Sequence, residues 1–171
     1  MPTIVLKDPS VVVLIGAAGS GKTTFAARWF APDDVLSSDA LRERISGDAA
    51  EQRHTRTVFG IIGRTLEQRA AAGRLTVIDA TSVRRADRRP YLASARRHGL
   101  PAIAIVFDLP AGVVHARNAG RGRIVDRAVV DRHLAAVAMS ADEDRLREEG
   151  FAAVTILHTP AEVDAMVVVR G

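Results

Sequence analysis

The stretch Val11-Val12-Val13-Leu14-Ile15-Gly16-Ala17-Ala18-Gly19-Ser20-Gly21-Lys22-Thr23 decides how this chain folds. Its first five residues are an unbroken β-branched and aliphatic run, the pattern of a strand buried on both faces of a parallel sheet. The remaining eight match the spacing in which glycine, four residues and a second glycine precede Lys and Ser or Thr. Glycines let the backbone curl so that N–H groups point inward at phosphate oxygens, and the helix that follows adds the positive end of its dipole. In that geometry Lys22 bridges the β- and γ-phosphates of a nucleoside triphosphate such as ATP or GTP, and the Thr23 hydroxyl ligates Mg²⁺. Gly16, Ala17, Ala18, Gly19, Ser20, Gly21 and Thr24 complete the expected nucleotide-binding set.

Outward from this segment, strand and helix patterns alternate. A helix is expected over 23–30 and a short strand over 35–37, with Pro32 and two aspartates between them. Asp39 stands where a second helix begins, and Ser46-Gly47-Asp48 ends it. Val58, Ile61, Ile62, Leu66 and Ala70 recur at helical spacing, predicting a helix over about 51–72, closed by Gly73. Leu75-Thr76-Val77-Ile78 is the next buried strand, and a helix over 84–98 and a strand over 102–107 follow. Pro110 opens another helix, Gly120-Arg121-Gly122-Arg123 interrupts it, and a single helix is expected over 126–149. A fifth strand over 154–157 and a short helix over 160–166 complete the pattern. The expectation is an α/β fold: a parallel sheet of about five strands of the P-loop NTPase type, helices on both faces, a helical lid, and ligands at the carboxyl ends of the strands.

The 171 residues suit one domain, 1–171. Hydrophobic residues at 47% and charged residues at 26% fit a globular protein and exclude wholesale disorder. Cysteine is absent, which excludes disulfides and thiolate metal sites and makes the cytoplasm the expected compartment. Val11 to Ile15 is far too short to cross a bilayer, so no membrane partner is expected. The net charge of +4 is carried almost wholly by arginine, since Lys7 and Lys22 are the only lysines. The scattered histidines lack metal-ligand spacing, and none is assigned a role.

Two carboxylates follow strands at the sheet edge that carries the phosphate loop. Asp39 is placed either as a base that takes the proton of an acceptor hydroxyl or as the cap of the helix it precedes. Asp79 ends the Leu75–Ile78 run, where P-loop enzymes place the acid that holds Mg²⁺ or its waters; capping is the structural alternative. Arg117, Arg121 and Arg123 flank a glycine-broken segment suited to a mobile lid that carries guanidinium groups over phosphates, or they are simply solvated.

Several stretches together resemble the amino-terminal 5′-kinase domain of bacterial polynucleotide kinase-phosphatase, an RNA repair enzyme. They are Val12 to Gly16, Ser37-Ser38-Asp39 with Arg42, Leu75 to Thr81, and Arg117-Asn118 leading into the lid. The resemblance implies transfer of the γ-phosphate of a nucleoside triphosphate, with Mg²⁺, to the 5′-hydroxyl end of RNA or DNA. It implies Asp39 as general base, Arg42 and Gln52 at the acceptor, Arg117 as phosphate clamp, and Arg121 and Arg123 in the lid. It also implies that phosphatase and ligase-like domains accompany such a module in a longer polypeptide. Ser82 stands where an asparagine is usual. Two other readings fit the same motifs: a kinase with a small-molecule hydroxyl acceptor, such as an antibiotic, a sugar or a nucleotide sugar, and a nucleotide-dependent ATPase switch.

Overall fold

A computed structural model describes residues 1–47 and 54–171. Strand β1 (Thr3–Leu6) leads into β2 (Val11–Gly16), the phosphate loop and helix α1 (Lys22–Trp29). A single 3₁₀ turn (Pro32–Asp34) precedes β3 (Val35–Ser37), and helices α2 (Ser38–Ser46) and α3 (Thr55–Ala71) follow. Next come β4 (Thr76–Asp79), α4 (Arg85–Arg97), β5 (Ala102–Phe107), α5 (Ala111–Ala119), α6 (Arg127–Ser140) and α7 (Glu143–Glu149). The chain closes through β6 (Ala153–Leu157), α8 (Pro160–Ala165) and β7 (Val167–Arg170).

The main sheet is parallel, in the order β3-β4-β2-β5-β6, so the aliphatic run that opens the phosphate loop is its central strand. All six residues of β2 are buried, as that run predicts. Its side chains alternate between two cores. Val11, Val13 and Ile15 face one with Val58, Ile62 and Leu66 of α3 and Leu146 of α7. Val12 and Leu14 face the other with Phe25 and Ala26 of α1, Val114 of α5 and Val130 of α6. A sheet covered on both faces needs apolar residues at every position of its middle strand, so β2 shows no polar alternation. The register sets Leu14 beside Asp79 and Asp79 beside Ser37, bringing the ends of three strands to one edge.

The five expected strands are all present. The structure adds two, β1 and β7, which pair in parallel as a separate sheet. The helix expected over 126–149 is two helices. Ala141 ends α6, and the Asp142 side chain accepts from the Arg145 amide 3.0 Å away, capping α7. An N-capping aspartate followed by two acids starts a new helix even without a Gly or Pro break. The first residues of the helix expected from 51 lie outside the described residues, and α3 begins at Thr55.

One ion pair fastens the layer behind the loop after β4. Arg88 of α4 is fully buried; its Nε donates to Glu149 Oε2 at 2.9 Å and its Nη2 to Glu149 Oε1 at 2.5 Å. The same guanidinium donates to the carbonyls of Ser82 at 3.0 Å and Ser140 at 3.3 Å. Removing one partner strands a buried charge. Glu149→Ala is therefore expected to cost about 3–5 kcal/mol in urea unfolding, and the double replacement Arg88→Met with Glu149→Leu clearly less.

Candidate functional site

The centre of the site is the loop around Lys22. Gly19 and Gly21 hold φ of +87° and +94°, the left-handed region that favours glycine. A Cβ on Gly19 would lie 2.9 Å from the Val114 carbonyl, and one on Gly21 would lie 3.1 Å from Arg117 Nη1, so the loop can seat against α5 only with glycines there. Lys22 is 7% exposed. Its ammonium donates to the carbonyls of Gly16 and Ala17, each at 2.9 Å, and to Ser20 Oγ at 3.4 Å. Burial pushes its pKa down to about 8; Arg121 adds to that shift, while Asp79 and Asp39 oppose it.

Thr23 opens α1 beside Asp79, and its hydroxyl donates to Asp79 Oδ2 at 2.8 Å. Asp79 is 4% exposed. Burial raises its pKa above the usual carboxylate range, against the pull of Lys22, Thr23 and Ser37. A hydroxyl and a carboxylate at a phosphate loop are hard oxygen donors suited to Mg²⁺, which takes few protein ligands and fills its shell with phosphates and water. No cluster of three or more His, Cys, Asp or Glu able to hold a metal occurs among the described residues, in keeping with so lean a donor set. Thr23 and Asp79 are the residues that would hold the ion.

Asp39 lies in the first turn of α2, and the cap is another residue: Ser37 Oγ accepts from the Ala40 amide at 3.3 Å. The capping alternative for Asp39 is thereby removed. Its carboxylate gathers three guanidinium groups instead. Arg42 Nη1 lies 2.9 Å from Oδ1, Arg121 Nη2 lies 3.9 Å from Oδ2, and Arg123 Nη1 is hydrogen-bonded to Oδ1. Arg42 also packs over the Phe59 ring at 5.9 Å, and its buried Nε has no hydrogen-bond partner among the described residues. Arg117 reaches the phosphate loop itself, donating to the Ser20 carbonyl at 3.3 Å.

These groups line one cleft of about 1030 Å³. Its lining includes Thr24 and Arg28 of α1, Val163 and Asp164 of α8, Arg42 of α2, Phe59 of α3, and Ser82 and Arg84 after β4. The structure therefore brings Lys22, Thr23, Thr24, Asp39, Arg42, Asp79, Arg117, Arg121 and Arg123 together, while Gln52 lies outside the described residues. Ser82 and His133 are among the cleft residues that carried no functional expectation. Ser82 has φ +48°, uncommon for a residue with a Cβ, and a buried hydroxyl with no partner. His133 of α6 approaches the phosphate loop, and its signal was slight: one polar residue in the apolar stripe Val130, Val137.

A family model described as an AAA domain matches residues 11–143, well over half of the chain. No curated protein matches it in sequence. Among solved structures, the gluconokinase from Sinorhizobium meliloti 1021 is similar at TM-score 0.56 and 18% identity, over 92% of this chain and 89% of that one. The structure from the PezAT chromosomal toxin-antitoxin system of Streptococcus pneumoniae superposes at TM-score 0.62 and 12% identity, over 91% and 69%. The APS kinase CysC of Mycobacterium tuberculosis, solved with AMPPNP and APS, gives TM-score 0.51 and 20% identity, over 67% and 71%. At these identities the likeness is one of fold. No helix among the described residues is long and apolar enough to cross a membrane.

Lys22 yields a pH prediction. Its pKa in the empty loop is about 8, and a bound phosphate raises it by favouring the charged form. ATP affinity measured by calorimetry is expected to be constant below about 8 and to fall as pH rises above it, with proton uptake on binding in that range. The unliganded protein moves the other way. The unfolded lysine keeps its proton up to 10.5, so folding stability rises between about 8 and 10.5 as the penalty of a buried charge lapses.

Proposed function

The chain belongs to the AAA-domain family, and we propose that it is a phosphotransferase that moves the γ-phosphate of a nucleoside triphosphate onto a small hydroxyl-bearing molecule. The observation that carries this reading is the position of Asp39, which lines one cleft with Lys22, Thr23 and Asp79 and follows the strand whose last residue, Ser37, lies beside Asp79. An ATPase switch needs a positioned water, whereas a carboxylate beside the γ-phosphate site serves an acceptor hydroxyl. The cleft lies at the upper end of the usual range for ligand sites, a size that suits two substrates.

In the proposed reaction the loop amides and Lys22 hold the β- and γ-phosphates, and Arg117 braces the loop at Ser20. Mg²⁺ bound at Thr23 and Asp79 would supply charge neutralisation on the phosphates. Asp39 orients the acceptor hydroxyl and takes its proton as its oxygen attacks in line. For Asp39 to do so the lid arginines must leave it, and a triphosphate offers Arg121 and Arg123 more negative charge than one carboxylate. The unpartnered Nε of Arg42 favours an acceptor that is itself anionic or rich in hydrogen-bond acceptors. The named activities of the gluconokinase and the APS kinase, both on small molecules, support the same acceptor class.

The polynucleotide 5′-end implied by the family resemblance is the second reading, favoured by Arg28 and Arg84, which line the cleft. One assay separates the readings. γ-Labelled ATP and Mg²⁺ are offered with sugars, sugar acids, nucleosides and nucleotide sugars, and with oligonucleotides bearing a 5′-hydroxyl. Label on a small molecule is the expected result, and label on the oligonucleotide alone establishes the second reading. Orthophosphate as the sole product of every mixture refutes both. On the accepted substrate, Asp39→Asn is expected to lower kcat a hundredfold or more at little cost in ATP affinity.

A further inference from the structure

His133 occupies a position on α6 that packing alone would give to an aliphatic residue. It follows Val130 by three residues and precedes Val137 by four, both of them buried, so the ring lies along the inward stripe of the helix. That stripe abuts the phosphate loop, and the Ala18 amide donates to His133 Nδ1 at 3.4 Å. A ring nitrogen that accepts an N–H carries no proton itself, so the neutral ring is the tautomer with its hydrogen on Nε2. Burial, reinforced by Lys22, Arg132 and Arg84 and opposed by Asp87, pushes the His133 pKa down to about 4, so the ring is neutral at physiological pH. The bond from Ala18 is the only hydrogen bond of the His133 ring among the described residues, and the side chain lines the cleft.

The surroundings fix where such a donor is useful. Lys22, Arg84 and Asp87 line the same cleft as the ring, Arg84 and Asp87 from the start of α4. His133 thus touches the loop at Ala18 and faces the cleft that Lys22 and Asp39 share, the space in which the last phosphoryl group of a bound triphosphate must lie if Asp39 is to serve it.

We propose that His133 orients the transferred phosphoryl group, giving its Nε2–H to a γ-phosphoryl oxygen while the Ala18 amide holds the ring in the required tautomer. A neutral donor suits this place. It adds a direction in space to a site that already has several cations, and its hydrogen bond has the same strength at every pH near neutrality. The proposal rests on the phosphotransferase reading above. It differs from a purely structural role, in which the imidazole only satisfies the Ala18 amide and shapes the loop.

The test is the affinity of the full chain for Mg²⁺-AMPPNP and for Mg²⁺-ADP, by calorimetry, in the wild type, His133→Phe and His133→Gln. The inference predicts that His133→Phe weakens AMPPNP roughly tenfold or more while ADP changes less than about threefold. It also predicts that His133→Gln, which retains an N–H donor, recovers part of the loss. Equal losses for the two nucleotides, or none for either, overturn the inference and leave the phosphotransferase reading intact; a wild type that binds neither nucleotide overturns both. Should His133→Phe fail to fold, nitrogen-15 spectra of the wild-type imidazole decide. An Nε2–H whose exchange with water slows on adding AMPPNP but not ADP supports the contact, and the same exchange rate with either nucleotide refutes it.

Discussion

A buried ammonium with nowhere to go but the phosphate loop is the constraint that organises this protein. Lys22 is held by the carbonyls of Gly16 and Ala17, in a loop whose turn back to the lysine passes through left-handed angles at Gly19 and Gly21. A lone buried cation is costly, and here the cost is partly offset by those carbonyls and by Asp79 and Asp39, and left otherwise as a standing affinity for an anion. The rest of the fold presents this loop. Its strand is central in the sheet, so one neighbour ends in Asp79 and the strand beyond it ends in Ser37, two residues before Asp39.

The second organising feature is the sharing of guanidinium groups. Asp39 holds one arginine from its own helix and two from the segment between α5 and α6, so that segment is drawn down onto the carboxylate. Any phosphate that enters the cleft competes with Asp39 for Arg121 and Arg123. These arginines neutralise the carboxylate, and in the proposed reaction they would turn from it to the phosphates of the donor.

Much of this was legible in the sequence, for a physical reason in each case. A doubly buried strand must be apolar throughout, so Val11 to Ile15 and Ala102 to Phe107 announced themselves. The phosphate loop needs a fixed spacing of glycines, and Asp79 and Asp39 follow strands that must end at the same edge. What escaped notice lacked such compulsion. Thr3–Leu6 and Val167–Arg170 do hold apolar runs, Ile4 to Leu6 and Val167 to Val169, but these are short, half exposed and pair only with each other, apart from the main sheet whose alternation organised the reading. The break between α6 and α7 comes from an aspartate cap, a weaker mark than glycine or proline. His133 is recognisable only once the stripe in which it stands is known to face the loop, which is tertiary information. The Ser82 backbone angle and the hydrogen bond that buried Arg88 donates to its carbonyl are likewise tertiary features with no local mark.

The account turns on a triphosphate lying in the loop with its last phosphoryl group facing Asp39. A crystal structure of the full chain with Mg²⁺ and AMPPNP tests this most directly. The account predicts the γ-phosphoryl group between Lys22 and Asp39, with Arg121 and Arg123 turned from the carboxylate toward the phosphates. A nucleotide seated with its γ-phosphoryl group away from Asp39, the lid arginines still paired to that carboxylate, would contradict it.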